Sequence, residues 1–445
     1  MKYLPSILLA AVCFNARITS SSHNSALSGF LTRSNSTLLS NGKSVRFGGI
    51  NAYWLGLDEN EGGIEYPTQY RITDALVTIS GWLGPTLVRS HSLGISTGNI
   101  LSFEPKLGVF NDSALLASDW AIAEAERLGL RLIVPLTDNW KYYHGGKHDF
   151  TDWLGLPESD FYTNPNAISA FQDYISHRLL HVNPYTKRAA KDEPAIAIWE
   201  TGNELVSPTE WVDTIATFIK SIDTNHLVLD GNNPLDESHL AIANVDVVST
   251  HFYPPNAATL ASNAAAAYQA QKVFSAGEFG WTEGDTERQA LLAACFAAPA
   301  CANGAPWSLF PHADTFGFVD HSDGFTIHYP GTATSDQSTF VQDMVTFATS
   351  MYGTAPVLPA PAIPSVSIIN STSIVWRGAA LAASYDVQIA ASENGPWQTI
   401  SSQPGPNDLQ LPYNVPGGIK TGQWVRARGV GVTSMAGEWS VPVQR

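Results

Sequence analysis

Two glutamates stand out for chemistry, Glu204 in Thr-Gly-Asn-Glu and Glu278 in Ala-Gly-Glu-Phe. One carboxyl that hands a proton to a leaving oxygen, and a second that meets a developing oxocarbenium ion, are what cleavage of a glycosidic bond requires. In the retaining version the second carboxylate attacks the sugar itself, which assigns Glu204 as acid/base and Glu278 as nucleophile. Polar and aromatic residues punctuate the same stretches. Asn51-Ala-Tyr-Trp54, Arg89-Ser-His91, Asp138-Asn-Trp140, His251-Phe-Tyr253 and Trp307 each follow an apolar run. Neither glutamate alone would mean much. The pair, each at the end of such a run, is specific.

The runs read as strands: Arg46–Ala52, Leu87–His91, Arg131–Leu136, Ala195–Glu200, Leu227–Asp230, Val245–Thr250, Val273–Gly277 and Gly304–Leu309. Amphipathic stretches alternate with them, around Tyr70–Trp82, Ser113–Leu128, Asn166–Val182, Pro208–Ile222, Ala257–Gln271, Asp285–Phe296 and Gln337–Met351. Eight strand–helix repeats over roughly 300 residues predict an α/β fold, a closed (β/α)8 barrel, whose chemistry gathers at the C-terminal strand ends. Glu204 follows the fourth run and Glu278 ends the seventh, on opposite sides of a narrow barrel. Gly48-Gly49 opens no helix, so no dinucleotide fingerprint is present. Phe30–Asn35 and Ser44–Phe47 flank Asn41-Gly42 and are expected to form a hairpin across the barrel floor. Trp54, Trp140 and Trp307 are candidate sugar platforms, and Trp281 is either a platform or core. His91 and His144 have no convincing metal partners in the sequence.

The stretch from Leu136-Thr-Asp-Asn-Trp-Lys-Tyr-Tyr-His-Gly-Gly, through Asp160-Phe-Tyr-Thr-Asn-Pro and His181-Val-Asn-Pro-Tyr-Thr, to Lys191-Asp-Glu-Pro-Ala-Ile-Ala-Ile-Trp-Glu-Thr-Gly-Asn-Glu204 resembles glycoside hydrolase family 5. Within it the likeness is to the endo-β-1,4-mannanases of fungi and plants. The resemblance implies that Asn203 contacts the 2-hydroxyl of the reacting sugar and that Arg89 orients the nucleophile. It also implies that His251 and Tyr253 line the reacting subsite and that Trp307 forms its floor. After Glu204 comes Leu-Val-Ser, where the mannanases usually carry Pro-Arg, and the span to Tyr253 is short. These departures bear on substrate choice and on endo against exo action.

Composition bounds the partner. Of 445 residues, 24 are Lys or Arg and 40 are Asp or Glu, a formal charge of −16 that argues against nucleic acid or an anionic membrane. The expected ligand is a neutral polysaccharide or oligosaccharide, handled by a monomer with no cofactor and no metal. Lys2 followed by the apolar run Ile7–Phe14 reads as a signal peptide over 1–22, and hence as secretion. Its removal would leave Cys295 and Cys301 to pair in an oxidising compartment. The catalytic domain is expected over 23–352 and a Pro/Ala linker over 353–364. From 365 to 445 short alternating strands predict a small all-β immunoglobulin-like sandwich resembling a fibronectin type III module.

Overall fold

The computed structural model describes residues 29–282, 284–331, 335–401 and 412–445. The signal-peptide stretch 1–22 lies outside the described residues. Three short strands, β1 (Leu31–Ser34), β2 (Thr37–Ser40) and β3 (Lys43–Ser44), open the fold as an antiparallel sheet. The chain turns twice where one hairpin was expected. Asn35 and Asn41 both take positive φ, 53° and 50°, which asparagine tolerates better than most side chains, so Asn35-Ser36 serves as a turn in its own right.

Eight parallel strands follow in strict sequence order: β4 (Gly48–Asn51), β5 (Thr86–Arg89), β6 (Arg131–Pro135), β7 (Ile196–Glu200), β8 (Leu227–Asp230), β9 (Val247–Phe252), β10 (Val273–Phe279) and β11 (Cys301–Pro306). β4 and β11 close the ring. Phe47 N–H donates to the Ala302 carbonyl at 2.9 Å, and Leu309 N–H to the Asn51 carbonyl at 2.9 Å. Glycine is required at the seam, because a Cβ on Gly49 would lie 2.7 Å from the Gly304 carbonyl oxygen. The order and parallelism are those of a (β/α)8 barrel.

The helices are α1 (Gln69–Leu83), α2 (Leu116–Leu128), α3 (Lys147–Leu154), α4 (Pro165–Leu180), α5 (Thr209–Ile222), α6 (Ala257–Gln269), α7 (Asp285–Ala297) and α8 (Ser335–Tyr352). Local sequence sets their ends. Thr68 caps α1 by accepting the Arg71 N–H, and Asn256 caps α6 from Thr259 N–H. Gly129 ends α2 in the left-handed conformation. The expected connection near Leu235–Ile242 is a 3-10 turn, Glu237–Ala241, and α3 has no counterpart among the expected helices. Cys295 and Cys301 form a disulfide between α7 and β11.

Beyond α8 the chain runs without regular secondary structure through 353–364 and then builds two small antiparallel sheets. One contains β12 (Ser365–Ile368), β13 (Ser373–Arg377) and β16 (Tyr413–Asn414). The other contains β14 (Ser384–Ala390), β15 (Gln398–Ser401), β17 (Trp424–Val430) and β18 (Val443–Gln444). Trp376, Tyr385 and Val425 sit in a core between them.

Candidate active site

Arg89, the last residue of β5, is 1% exposed and organises the barrel mouth. Its Nε and Nη2 fork onto Glu200 at the end of β7, at 2.7 and 2.8 Å. Nη1 reaches Glu278 Oε1 of β10 at 2.5 Å, and Nη2 donates to Asn203 Oδ1 at 2.9 Å. A planar guanidinium serves this purpose because its donors are fixed in direction. Burial works against the charge on Arg89, but Glu200 and Glu278 outweigh it and hold the group protonated above its ordinary range. Asn51, at the end of β4, steadies the arrangement with its amide on the Gly277 and Ala305 carbonyls.

Glu278 is 5% exposed. Burial alone would raise its pKa; His251, His91 and Arg89 reverse that and keep the carboxyl well below the usual range. Its Oε2 accepts the Tyr253 hydroxyl at 3.0 Å. Enclosure of that hydroxyl, together with the neighbouring Glu278 charge, pushes Tyr253 well above its ordinary value, so it stays a donor.

Glu204 follows β7 in the left-handed region, φ 51°, where a side chain this large is uncommon and strained. The loop is fixed from below, because the end of β8 touches it. A Cβ on Gly231 would come 1.6 Å from the Gly202 carbonyl oxygen. Three donors converge on the carboxylate. Asn233 Nδ2 and His251 Nδ1 reach Oε1 at 3.2 and 2.8 Å, and Trp140 Nε1 reaches Oε2 at 2.6 Å. His251 Nδ1 also lies 3.6 Å from Glu278 Oε2. Glu204, His251 and Glu278 thus bring one side-chain atom each within 4.8 Å of one another.

Behind this group Asp138, fully buried, accepts from His144 Nε2 at 3.0 Å, from Asn203 Nδ2 at 3.1 Å and from the Trp140 backbone at 2.9 Å. His91 Nε2 lies 2.9 Å from Arg89 Nη1 and 3.4 Å from Glu278 Oε1. Burial and the Arg89 charge lower the His91 pKa and keep the ring neutral. Sequence reading found no partner for these imidazoles. The fold supplies one: His91, Asp138 and His144 form a second group with three potential ligand atoms within 4.8 Å.

Arg89, Asn203, Glu204, His251, Tyr253, Glu278 and Trp307 therefore come together at one mouth. Trp307 stacks on Tyr53, ring centroids 5.0 Å apart, and its Nε1 donates to Asp323 Oδ2 at 2.7 Å. Trp140 stands 47% exposed beside Glu204. Trp54 is a correction. It is fully buried, its Nε1 bonded to the Leu309 carbonyl at 2.9 Å, and it cannot meet a ligand. Trp281 is likewise enclosed, with Nε1 on the Phe325 carbonyl. Tyr53 and Trp54 lie in the turn beyond β4, and it is Tyr53 that stacks on Trp307 at the mouth. Glu200, Asp138, Asn233 and Tyr53 are functional-site residues that the sequence reading left without a part in the chemistry.

Comparison with known proteins agrees with this geometry. Residues 29–278 match the family model described as GH family 5 beta-mannosidase-like. Mannan endo-1,4-beta-mannosidase 3 of Arabidopsis thaliana is 30% identical over 246 residues, covering 52% of this chain and 58% of that protein. Mannan endo-1,4-beta-mannosidase 4 of Solanum lycopersicum is 31% identical over 204 residues, 42% of this chain and 49% of that protein. The chain spans about half the length of the plant relatives it matches. The crystal structure of the endo-1,4-beta-mannanase from Rhizomucor miehei superposes with a TM-score of 0.61 at 26% identity, over 73% of this chain and 99% of that one. With more than half its length matched by the family model, the chain belongs to glycoside hydrolase family 5, in the β-mannosidase-like group.

Proposed function

We propose that the protein is a secreted, retaining hydrolase of β-1,4-mannan that cuts within the polysaccharide chain. One observation carries the reading: an oxygen of Glu204 and an oxygen of Glu278 flank the same imidazole nitrogen, all within 4.8 Å. An inverting enzyme holds its carboxyl groups about 6.5–9.5 Å apart to admit water, whereas direct attack needs about 5–5.5 Å. In this reading Glu278, held ionised, attacks the anomeric carbon and Glu204 protonates the leaving oxygen, then activates water. Tyr253 and Arg89 orient the nucleophile, and Asn203 meets the 2-hydroxyl. His251 lines the subsite, Trp307 floors it, and Trp140 offers a stacking face beside the proton donor. Cysteine pairing and the N-terminal apolar run favour secretion. The two C-terminal sheets are read as a fibronectin-like spacer over 365–445, joined through 353–364 to a catalytic domain ending at 352.

A second reading, removal of single sugars from chain ends, is favoured by the β-mannosidase-like family match and by the loop after β11. There His321 bonds Asn60 at 2.7 Å and Tyr53 at 3.2 Å, and Asp323 bonds Trp307, walling one side of the mouth. Product analysis on mannan, glucomannan, cellulose and xylan, with Glu278→Ala alongside, separates the two. Short manno-oligosaccharides that vanish in the variant are the expected result. Monosaccharide alone would establish the second reading, and no product from any glycan would defeat both.

A further inference from the structure

We propose that Glu204, His251 and Glu278 also form a binding site for a divalent transition-metal ion of the zinc type, occupied in competition with substrate. The site rests on geometry, and only the competition rests on the hydrolase reading. His251 Nδ1 stands 2.8 Å from Glu204 Oε1 and 3.6 Å from Glu278 Oε2. Zinc ligands about 2.0–2.2 Å from the ion are roughly 3.3 Å apart on a tetrahedron, so the two distances from His251 bracket that spacing, and the two oxygens lie within 4.8 Å of each other. The ion would sit between the imidazole nitrogen and the two carboxylate oxygens. Imidazole with two carboxylates favours zinc, copper or nickel over magnesium, which prefers six oxygens.

Charge points the same way. Arg89 pairs with Glu200 and Glu278, while Glu204 is bonded by Trp140, Asn233 and His251 and by no Lys or Arg, so a dication beside it reduces the imbalance. Arg89 holds Glu278 by Oε1, and Oε2, which accepts the Tyr253 hydroxyl, faces His251. The Glu204 side chain is 20% exposed, which gives an ion a way in from solvent. The other triad is less suited. His91, Asp138 and His144 are all buried, and Arg89 Nη1 already sits on His91 Nε2.

The test is calorimetric titration of the whole protein with ZnCl2 and, separately, MgCl2, using wild type, His251→Ala, Glu204→Gln and His144→Ala. One zinc per chain at micromolar concentration is expected, with no magnesium binding in the same range. His251→Ala and Glu204→Gln should each weaken zinc at least about tenfold, and His144→Ala should leave it unchanged. On mannan, zinc should raise KM and leave kcat alone. No saturable zinc binding below about 1 mM, or loss of binding through His144→Ala in place of His251→Ala, overturns the site. So does inhibition that more mannan fails to relieve. If no glycan is cut, the titration still decides the metal site while the hydrolase reading falls on its own.

Discussion

At Glu278 burial and neighbours pull in opposite directions. Loss of water favours the neutral acid, while His251, His91 and Arg89 favour the anion and prevail. An anion present at neutral pH is what a nucleophile needs. Glu204 differs: it is partly open to solvent, and Asn233, His251 and Trp140 surround its carboxylate. If Glu204 is the proton donor, its worth depends on how badly the leaving group needs a proton. Glu204→Ala should therefore lower kcat/KM on mannan by about 10³-fold while costing an aryl mannoside with an acidic phenol less than about tenfold. Equal losses on both substrates would remove Glu204 from that role. The residues in this chemistry were legible because polar side chains follow apolar runs at the same end of each strand. Glu200 was legible as support for the site, but its partner was not. Glu200 reads as the last residue of a hydrophobic strand, and only the closed ring shows that it forks onto Arg89 111 residues away in sequence.

Strands and long helices were readable where one period dominates several turns, as in Leu227–Asp230 or Asp285–Ala297. The loops at the mouth were not, because tertiary packing decides them. α3 has only eight residues, too few for an apolar stripe to emerge, and it sits inside the long crossover from β6. The connection from β5 to α2 shows the same dependence. Glu104, 1% exposed, joins its two arms, bonding through its backbone to Ser96 and Gly98 and through Oε1 to Gly108 N–H at 2.7 Å. Its Oε2 is buried with no hydrogen-bond partner. Burial, opposed by Gly108 and helped by Asp173 and Asp149, pushes its pKa up to about 7. The unfolded chain releases this proton near pH 4.5, and the folded chain keeps it until about pH 7. Between those values the folded state binds more protons, so stability falls as pH rises, and the loss is complete above about pH 7. Glu104→Gln keeps the acceptor for Gly108 and has nothing to ionise. Urea unfolding at pH 5 and pH 8 should show wild type losing about 2 kcal/mol more than the variant over that interval. Parallel losses would mean that Glu104 is solvated in a way its burial does not indicate.

In the whole molecule the C-terminal sheets are packed onto the barrel. The Tyr70 hydroxyl of α1 donates to the Gly378 carbonyl at 3.0 Å, and the Arg377 guanidinium lies 3.9 Å from the Tyr70 ring centroid. Ala362 N–H bonds the Ala380 carbonyl at 3.0 Å, fastening the incoming segment to the first turn after β13. Leu381, 3% exposed, enters the barrel's own apolar cluster and meets α1 where Gly81 leaves room. A Cβ on Gly81 would come 2.4 Å from Leu381 Cδ1. Helix propensity and packing make opposite predictions at this position. By propensity alone, replacing an interior helical glycine with valine should gain a few tenths of a kcal/mol. By packing, two more methyl-sized groups must displace an enclosed leucine, at a cost of about 1–3 kcal/mol. If the contact governs, Gly81→Val lowers the urea midpoint, and added Leu381→Ala restores part of it, because the space vacated by the leucine accepts the valine. Leu381→Ala alone should cost about 2–4 kcal/mol, so recovery in the double variant would be a coupling that two independent sites cannot produce. Strict additivity of the two losses would show that the sheets rest on the barrel without bearing on α1.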